Sequence, residues 1–250
     1  MPAITVDNTT AHYRMSKKAS ADTPAVICLH GSGACSIVWS YQVSRLSKHF
    51  RIIAPDIPCH GQSEGAALDS AEAYARWVDR FSQALELDTF FLMGHSFGGA
   101  IVQEYARLYP EKLKGIILIA TGTGFKLSRA YRELHENGID VETLGIMAVP
   151  EAIRQGYEML KNVSSPLLHE DLLAAGSFDS TGWISAVTVP ALVLWGSEDY
   201  ITQRELPEAL AEALPHASFK VIEGAGHVLM VEAPQPFNTA VAEFISSCQC

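Results

Sequence analysis

Basic residues are scarce in this sequence. Its 250 residues include 18 Lys and Arg against 28 Asp and Glu, which gives a formal net charge of -10 at pH 7. A chain of this charge is repelled by a phosphate backbone, so the composition argues against nonspecific binding to nucleic acid. We therefore expect no nucleic-acid partner.

Cysteines are also few, and their number is odd. The chain contains Cys28, Cys35, Cys59, Cys248 and Cys250. In a chain of this length, that number does not match the disulfide framework of a small secreted domain. None of them shows the paired spacing of metal ligands, so no metal site is predicted. Cys28 lies in an apolar strand pattern and is predicted to be a small core residue.

Long hydrophobic runs are absent too. No segment is long and apolar enough to span a membrane, and residues 1–24 contain no apolar stretch of signal-peptide length. With 48% hydrophobic and 18% charged residues, the composition is that of a soluble globular protein, long enough for one domain with an insertion. We expect a cytoplasmic protein with no membrane partner.

Strands and helical patterns alternate along most of the chain. The apolar runs AVICLH, TFFLMG and LKGIILIAT are typical of strands that are buried on both faces. Two shorter strands, AITV and AHYRM, precede them and could form a hairpin. This order predicts an α/β fold, in which helices cover both faces of a mostly parallel, twisted sheet.

One interval breaks the alternation. Between about Phe125 and Ser185, the patterns KLSRAYRELHENG, VPEAIRQGYEML and PLLHEDLLAAG are helical, and no convincing strand occurs. We interpret residues 125–185 as a small helical cap. It would be inserted into a core domain formed by residues 1–124 and 186–250.

The stretch GHSFG places Ser96 between an apolar strand and a helical pattern. Gly94 and Gly98 complete the G-x-S-x-G pattern of a nucleophile elbow, in which residues without a Cβ let the strand and the helix approach closely. The backbone N–H of Phe97 would begin the helix without a helical partner and could face a developing oxyanion. A plain tight turn is the alternative, but the strand before and the helix after favour a nucleophile.

A serine hydroxyl is a poor nucleophile without a base. His227, in IEGAGHVLMVEAP, follows the last strand and two glycines, which suits a loop that reaches back over the sheet edge. Asp199, in LVLWGSED, ends a strand and would fix the histidine tautomer. The order Ser, Asp, His accompanies this kind of elbow. Glu198 is the adjacent alternative acid, and His95 is predicted to point away from the site as structural support.

The second oxyanion donor is predicted in the loop after AVICLH. His30, Gly31, Ser32 and Gly33 form a glycine-bearing turn at the end of that strand. We expect the backbone N–H of Ser32 to act together with that of Phe97. A turn without a catalytic role, which the glycines also permit, is the alternative interpretation.

Together these segments resemble the α/β-hydrolase superfamily. The matching pieces are LHGSG, APDIPCHGQSEG, GHSFGG, WGSEDYIT and GAGHVLMVEAP, which span nearly the whole chain in the expected order. The sequence is most similar to carboxylesterases and lactonase-like serine hydrolases with small helical caps. The resemblance implies a small-molecule substrate, no metal and no organic cofactor.

Two positions qualify the resemblance. Cys59 stands where the family's D-x-P-G-H-G-x-S segment has glycine, which bears on the expected backbone conformation of that loop. Ser96 stands where haloalkane dehalogenases and epoxide hydrolases of the superfamily use aspartate. Their covalent alkyl-ester chemistry is therefore not expected here.

The sequence thus predicts a serine hydrolase that cleaves a small to medium, mostly apolar carboxylic ester or lactone through an acyl-enzyme intermediate. The candidate substrate-binding residues are Tyr131, Met147 and Tyr157 in the cap, and Val228 beside His227. Hydrolysis of carbon–carbon bonds, cofactor-free perhydrolysis and a lyase reaction remain alternatives. A ligand-binding or signalling protein on a hydrolase scaffold is the alternative of another class. The sequence makes no prediction of the oligomeric state.

Overall fold

A computed structural model describes residues 1–16, 23–126 and 165–248, and its centre is an eight-stranded sheet. The strands are β1 (Ala3–Val6), β2 (Thr9–Met15), β3 (Ala25–Leu29), β4 (Arg51–Pro55), β5 (Phe90–His95), β6 (Leu113–Ile119), β7 (Ala191–Gly196) and β8 (Ala217–Ile222). Their spatial order is β1-β2-β4-β3-β5-β6-β7-β8. Strands β3 to β8 pair in parallel, whereas β1 pairs with β2, and β2 with β4, in antiparallel fashion.

In the described part of the chain, five helices connect the parallel strands, and two more follow the last strand. They are α1 (Ser40–Arg45), α2 (Ala71–Ala84), α3 (Phe97–Leu108), α4 (Ser165–Gly176), α5 (Glu205–Ala213), α6 (Leu229–Glu232) and α7 (Pro234–Ser247). Local sequence sets several of their ends. Ser70 caps α2, because its hydroxyl accepts a hydrogen bond from the N–H of Ala73 at 3.3 Å. Pro234 occupies the first turn of α7, where its missing N–H has no helical partner to lose.

The sheet is buried on both faces. Successive residues of β3 belong alternately to two hydrophobic clusters: Ile27 and Leu29 to one, Val26 and Cys28 to the other. The first cluster includes large side chains of α2 and α3, and the second those of the segment before α1 and of α7. Because side chains alternate across a strand, a continuous apolar run can supply both layers at once.

The predicted α/β fold is therefore confirmed, including the N-terminal hairpin, in which Ala3 lies opposite His12. Cys28 is fully buried in the core, as predicted. Helix α4 coincides with the predicted helical pattern PLLHEDLLAAG. A backbone bridge between Gly124 and Asp179 brings the two ends of the predicted cap segment together. The domain limits themselves remain a prediction, since residues 127–164 lie outside the described part of the chain.

Cys59 adopts the backbone conformation that glycine takes most easily. Its φ is 69°, in the left-handed region, and its side chain is exposed. A residue with a Cβ pays about 1–2 kcal/mol for this conformation. The loop that follows β4 thus keeps a glycine-type turn although its sequence departs from the family pattern.

Candidate active site

The predicted nucleophile lies at the carboxyl end of β5, where ligand sites form in parallel α/β sheets. Ser96 links β5 directly to α3 and has φ 53° and ψ -119°. Its N–H donates to the carbonyl of Ile119 at 2.8 Å, and its own carbonyl accepts from Gly99 N–H at 2.8 Å. A non-glycine residue is thus held in a strained conformation by backbone hydrogen bonds on both sides, as a nucleophile elbow requires.

Glycines at the elbow are required by close backbone contacts. A Cβ on Gly94 would lie 2.2 Å from the carbonyl oxygen of Gly98. One on Gly98 would lie 2.6 Å from the carbonyl oxygens of Leu29 and His30, at the end of β3. These contacts press the first turn of α3 against both its own strand and the neighbouring strand. Because Gly94 and Gly98 have no side chains, Ser96 lies close to the loop that follows β3.

The structure brings Asp199 and His227 together. His227 Nδ1 lies 2.9 Å from Asp199 Oδ2, and the Asp199 side chain is fully buried. The other oxygen of Asp199, Oδ1, accepts from the N–H groups of Ile201 and Thr202 at 2.8 and 2.9 Å. Because an ionised carboxylate only accepts hydrogen bonds, Nδ1 of His227 carries a proton, so the tautomer of the neutral ring has its lone pair on Nε2.

Glu198, the alternative acid, is exposed and contributes its backbone instead. Its N–H donates to the carbonyl of Ala225 at 2.9 Å, two residues before His227. Gly196 lies against the same segment, since a Cβ there would be 2.3 Å from the Ala225 carbonyl oxygen. The end of β7 is thus fastened to the loop that carries His227.

His95 connects the elbow with the His227 loop. His95 Nε2 donates to the backbone carbonyl of His227 at 2.9 Å, and the two rings lie 4.7 Å apart. Burial, and next the nearby His227, hold the pKa of His95 well below the usual histidine value. His95 is therefore a neutral donor that ties the backbone of His227 to the residue before Ser96. Among the described residues, no hydrogen bond joins Ser96 Oγ to His227.

The loop after β3 forms a tight turn from Gly31 to Ala34. The N–H of Ala34 donates to the carbonyl of Gly31 at 3.2 Å, and Gly33 has φ 63°. Positive φ at the third position of a turn favours glycine. A Cβ on Gly31 would lie 3.1 Å from Ser96 Cβ, so the turn borders the predicted nucleophile. The Ser32 N–H has no hydrogen-bond partner in the described part of the chain, and Ser32 is half-buried.

The other predicted oxyanion donor begins α3. Phe97 is the first residue of that helix, so its N–H has no acceptor within the helix. The Phe97 ring is buried and packs edge-on against Tyr74, with ring centroids 5.6 Å apart. Ser32 and Phe97 thus lie on the two segments that adjoin Ser96.

Two carboxylates near the site were not found from the sequence. Asp171, on α4, is fully buried and accepts a hydrogen bond from Gly33 N–H at 2.7 Å. Glu232, on α6, accepts from the N–H groups of Gly226 and Val228 at 2.6 and 2.9 Å, on either side of His227. Carboxylates next to apolar helical runs, two in EDLLAAG and one in HVLMVEAP, are the signal that could have marked them.

Three of the four predicted substrate-binding residues, Tyr131, Met147 and Tyr157, lie outside the described residues. Val228 is buried, precedes α6 and donates its N–H to Glu232. Val228 follows His227 directly in the sequence. Its role beside the substrate stays a prediction.

Two kinds of feature are absent from the described residues. Within residues 1–16, 23–126 and 165–248, no helix combines the length and the apolar character that crossing a membrane requires. In the same ranges, no cluster of three or more His, Cys, Asp or Glu side chains is arranged to hold a metal ion.

A family model for the alpha/beta hydrolase family matches residues 26–240. The chain belongs to the alpha/beta hydrolase family. The resemblance stated from the sequence motifs is thereby confirmed. Among curated relatives, it is 27% identical to the (E)-2-((N-methylformamido)methylene)succinate hydrolase of Acinetobacter baylyi, with 96% of each chain covered. It is 25% identical to the pimeloyl-[acyl-carrier protein] methyl ester esterase of Serratia marcescens, covering 89% of this chain and 94% of that one.

Solved structures of this family share the fold over the whole chain. The enol-lactonase of Burkholderia xenovorans superposes with a TM-score of 0.82 at 20% identity, covering 98% of this chain and 100% of that one. A thermophilic esterase of Thermogutta terrifontis gives a TM-score of 0.80 at 24% identity, with 100% and 99% covered. At these identities the likeness concerns the fold.

Proposed function

We propose that this hydrolase cleaves a small to medium, mostly apolar carboxylic ester or lactone through an acyl-enzyme intermediate. Ser96 attacks the carbonyl carbon while His227 Nε2 takes the hydroxyl proton. The N–H groups of Phe97 and Ser32 stabilise the oxyanion of the tetrahedral intermediate. His227 then protonates the leaving alcohol, and a water activated by the same ring releases the acid.

The observation that carries the proposal is the hydrogen bond of 2.9 Å between His227 Nδ1 and Asp199 Oδ2. It leaves Nε2 as the basic nitrogen of the ring, and the buried carboxylate stabilises the imidazolium that forms when the proton is taken. Asp199 is itself held by two backbone N–H groups, so the ring is oriented by a rigid partner. The contact between Ser96 and His227 would form with bound substrate, since catalytic hydrogen bonds often tighten only in that complex.

The glycine contacts around Ser96 support an oxyanion site at the same place. The Gly31–Ala34 turn and the start of α3 both adjoin Ser96, and each offers an N–H that has no partner among the described residues. A donor of this kind typically contributes about 3 kcal/mol of transition-state stabilisation. The family relationship adds support, since relatives include an ester esterase and a hydrolase, and the shared fold includes an enol-lactonase.

The test is hydrolysis of p-nitrophenyl esters of increasing acyl length, and of simple lactones, by the wild type and by Ser96→Ala. Ser44→Ala is the matched control, because Ser44 is an exposed serine on α1. The proposal predicts turnover by the wild type and the control, and none by Ser96→Ala at an unchanged melting temperature. The preferred acyl length then gives the length of acyl chain that the substrate pocket accepts.

A fluorophosphonate probe makes the test independent of the choice of ester. Mass spectrometry should find one adduct, on Ser96, in the wild type and in Ser44→Ala. Ester turnover that survives in Ser96→Ala would overturn the proposal. An adduct without ester or lactone hydrolysis, together with cleavage of diketones or peracid formation from peroxide, would replace it with one of the alternative reactions. Tight ligand binding with neither adduct nor turnover would indicate a binding protein.

A further inference from the structure

A carboxylate from the predicted cap segment reaches into the predicted oxyanion site. Asp171, on α4, has no exposed surface. Its Oδ2 accepts from Gly33 N–H at 2.7 Å and from His60 Nε2 at 2.8 Å, and Tyr74 OH lies 3.5 Å from Oδ1. A buried carboxylate is costly unless such donors satisfy it. Asp171 is satisfied by groups of the core domain, not by its own helix.

The geometry of His60 indicates that His60 and Asp171 form a charged pair. His60 Nδ1 lies 2.9 Å from the carbonyl oxygen of Pro58, and Nε2 lies 2.8 Å from the carboxylate of Asp171. Both partners accept hydrogen bonds, so both ring nitrogens carry protons. Burial alone would lower the pKa of His60, but the hydrogen bond and the charge of Asp171, together with the Pro58 carbonyl and the charge of Asp56, outweigh burial and raise it. An imidazolium and a carboxylate are therefore buried together under the turn.

A neighbouring histidine, His30, is neutral where His60 is charged. The ring of His30 lies 4.9 Å from that of His60. Its Nδ1 donates to the carbonyl of Gly31 at 2.9 Å, while Nε2 accepts from Ile57 N–H at 3.2 Å, which requires the neutral form. Burial, followed by the repulsion of His60, lowers the pKa of His30 to about 4. Neutral His30 thus holds the carbonyl of Gly31, the first residue of the turn.

These contacts hold the turn on both sides of Ser32. His30 bonds the carbonyl of Gly31, and Asp171 takes the N–H of Gly33. The N–H of Gly33 is consequently occupied. The N–H of Ser32 is left available, and it belongs to the same peptide group as the carbonyl of Gly31. The direction of the Ser32 N–H is therefore set on one side by the Gly31 carbonyl of its own peptide group. On the other side it is set by the Ser32–Gly33 peptide group, which Asp171 on α4 holds.

We propose that Asp171, paired with His60, is a positioning residue that aims the Ser32 N–H at the oxyanion. The helix Ser165–Gly176 thereby contributes to transition-state stabilisation, in addition to any part it has in binding substrate. This inference rests on the proposed function, because it assigns a role within the same reaction. It predicts that losing Asp171 lowers kcat more than it raises KM, since the oxyanion exists only in the transition state.

The experiment compares Asp171→Asn and Asp171→Ala with the wild type in ester hydrolysis. Glu170→Gln is the matched control, because Glu170 is the exposed neighbour of Asp171 on α4. Losing an oxyanion donor outright lowers kcat by about 10²- to 10³-fold, and a misdirected donor should cost less. We expect kcat to fall by about 10-fold in Asp171→Asn and about 100-fold in Asp171→Ala, with KM changed by less than about threefold.

A second measurement separates positioning from general loosening of the fold. Trifluoromethyl ketones add to the serine as a hemiketal whose oxyanion needs the same donors, so their Kd should rise by the factor by which kcat falls. A ground-state ketone analogue without the fluorines should bind all variants about equally. Because Asp171→Ala leaves the His60 charge buried without a partner, it can fail to fold. The double variant Asp171→Asn/His60→Gln removes both charges and is measured beside it, with melting temperatures for all.

The outcomes distinguish this inference from the proposed function. Folded Asp171→Asn with kcat and trifluoromethyl ketone affinity within twofold of Glu170→Gln would overturn the positioning role and leave the serine mechanism standing. A rise in KM matched by an equal loss of affinity for the ground-state ketone would show a substrate-binding role instead, which also overturns the positioning role. A wild type with no ester turnover and no adduct on Ser96 would overturn the proposed function, and this inference with it.

Discussion

Glu232 holds the backbone on both sides of the predicted general base. Its two carboxylate oxygens accept from Gly226 N–H at 2.6 Å and from Val228 N–H at 2.9 Å, and His227 stands between those residues. The change to make is Glu232→Ala, which removes both acceptors without adding bulk. We expect it to lower kcat by about 10-fold and to lower the melting temperature slightly.

The size of each effect follows from the geometry. A hydrogen bond of this kind contributes about 0.5–1.5 kcal/mol net, and Glu232 is exposed, so water replaces much of what is lost. We therefore expect a loss of about 1 kcal/mol in the free energy of unfolding, or about 2–4 °C in a chain of this size. A displacement of a catalytic group by 1 Å can cost about 10²-fold in rate. Asp199 and His95 still hold His227, which limits the loss to about 10-fold.

The assay is steady-state ester hydrolysis with thermal unfolding followed in parallel. Glu223→Ala is the control, because Glu223 is an exposed glutamate at the start of the same loop. Glu232→Gln keeps one acceptor oxygen and should fall between the wild type and Glu232→Ala. If Glu232→Ala matches Glu223→Ala in kcat and melting temperature, the reasoning is wrong, and Asp199 and His95 alone position His227.

Three further predictions concern single residues. Asp199→Asn should lower kcat by about 10³- to 10⁴-fold with little change in melting temperature, because the amide presents a donor to His227 Nδ1 while Oδ1 can still accept its backbone hydrogen bonds. His30 has a pKa of about 4 in the folded chain, so the unfolded chain takes up its proton first as the pH falls below 6.5. Urea denaturation should show stability lost between pH 6.5 and 4, on the order of 3 kcal/mol for this group, and His30→Gln should reduce that slope. Cys59→Gly should raise the free energy of unfolding by up to about 1 kcal/mol, since relief of the left-handed strain exceeds the entropy cost of glycine, whereas Cys59→Val should lower it.

The parts of the fold that the sequence predicts well are those set by local physics. Continuous apolar runs marked the central strands, because a strand covered on both faces has no polar side. The glycines around Ser96 marked the elbow, because a Cβ on Gly94 or Gly98 would strike backbone atoms. The sequence defines the ends of helices less well, since apolar residues continue to Leu87, past the last turn of the helix Ala71–Ala84.

Contacts between distant segments were beyond that kind of reasoning. Asp171 and Gly33 are 138 positions apart in the chain, and nothing near either residue shows that they meet. Asp171, the second of two acidic residues in EDLLAAG, could equally have pointed to solvent, which is the usual place for aspartate. Glu232 is closer to its partners, but its role depends on the path of the His227 loop. The roles of such carboxylates are set by the backbone N–H groups that they accept from, and only the folded structure shows which groups those are.

Histidine illustrates why residue type alone does not define a role in this site. His30, His60, His95 and His227 all lie near the ends of parallel strands, yet each ring has different partners. One acceptor and one donor make His30 neutral, whereas two acceptors make His60 cationic. His227 has a carboxylate on Nδ1. Two separate carboxylates, Asp171 and Asp199, are thus the partners of His60 under the Gly31–Ala34 turn and of His227, the predicted base. Replacing either aspartate should therefore change one histidine and leave the other in its present state, which NMR titration of the ring protons can measure.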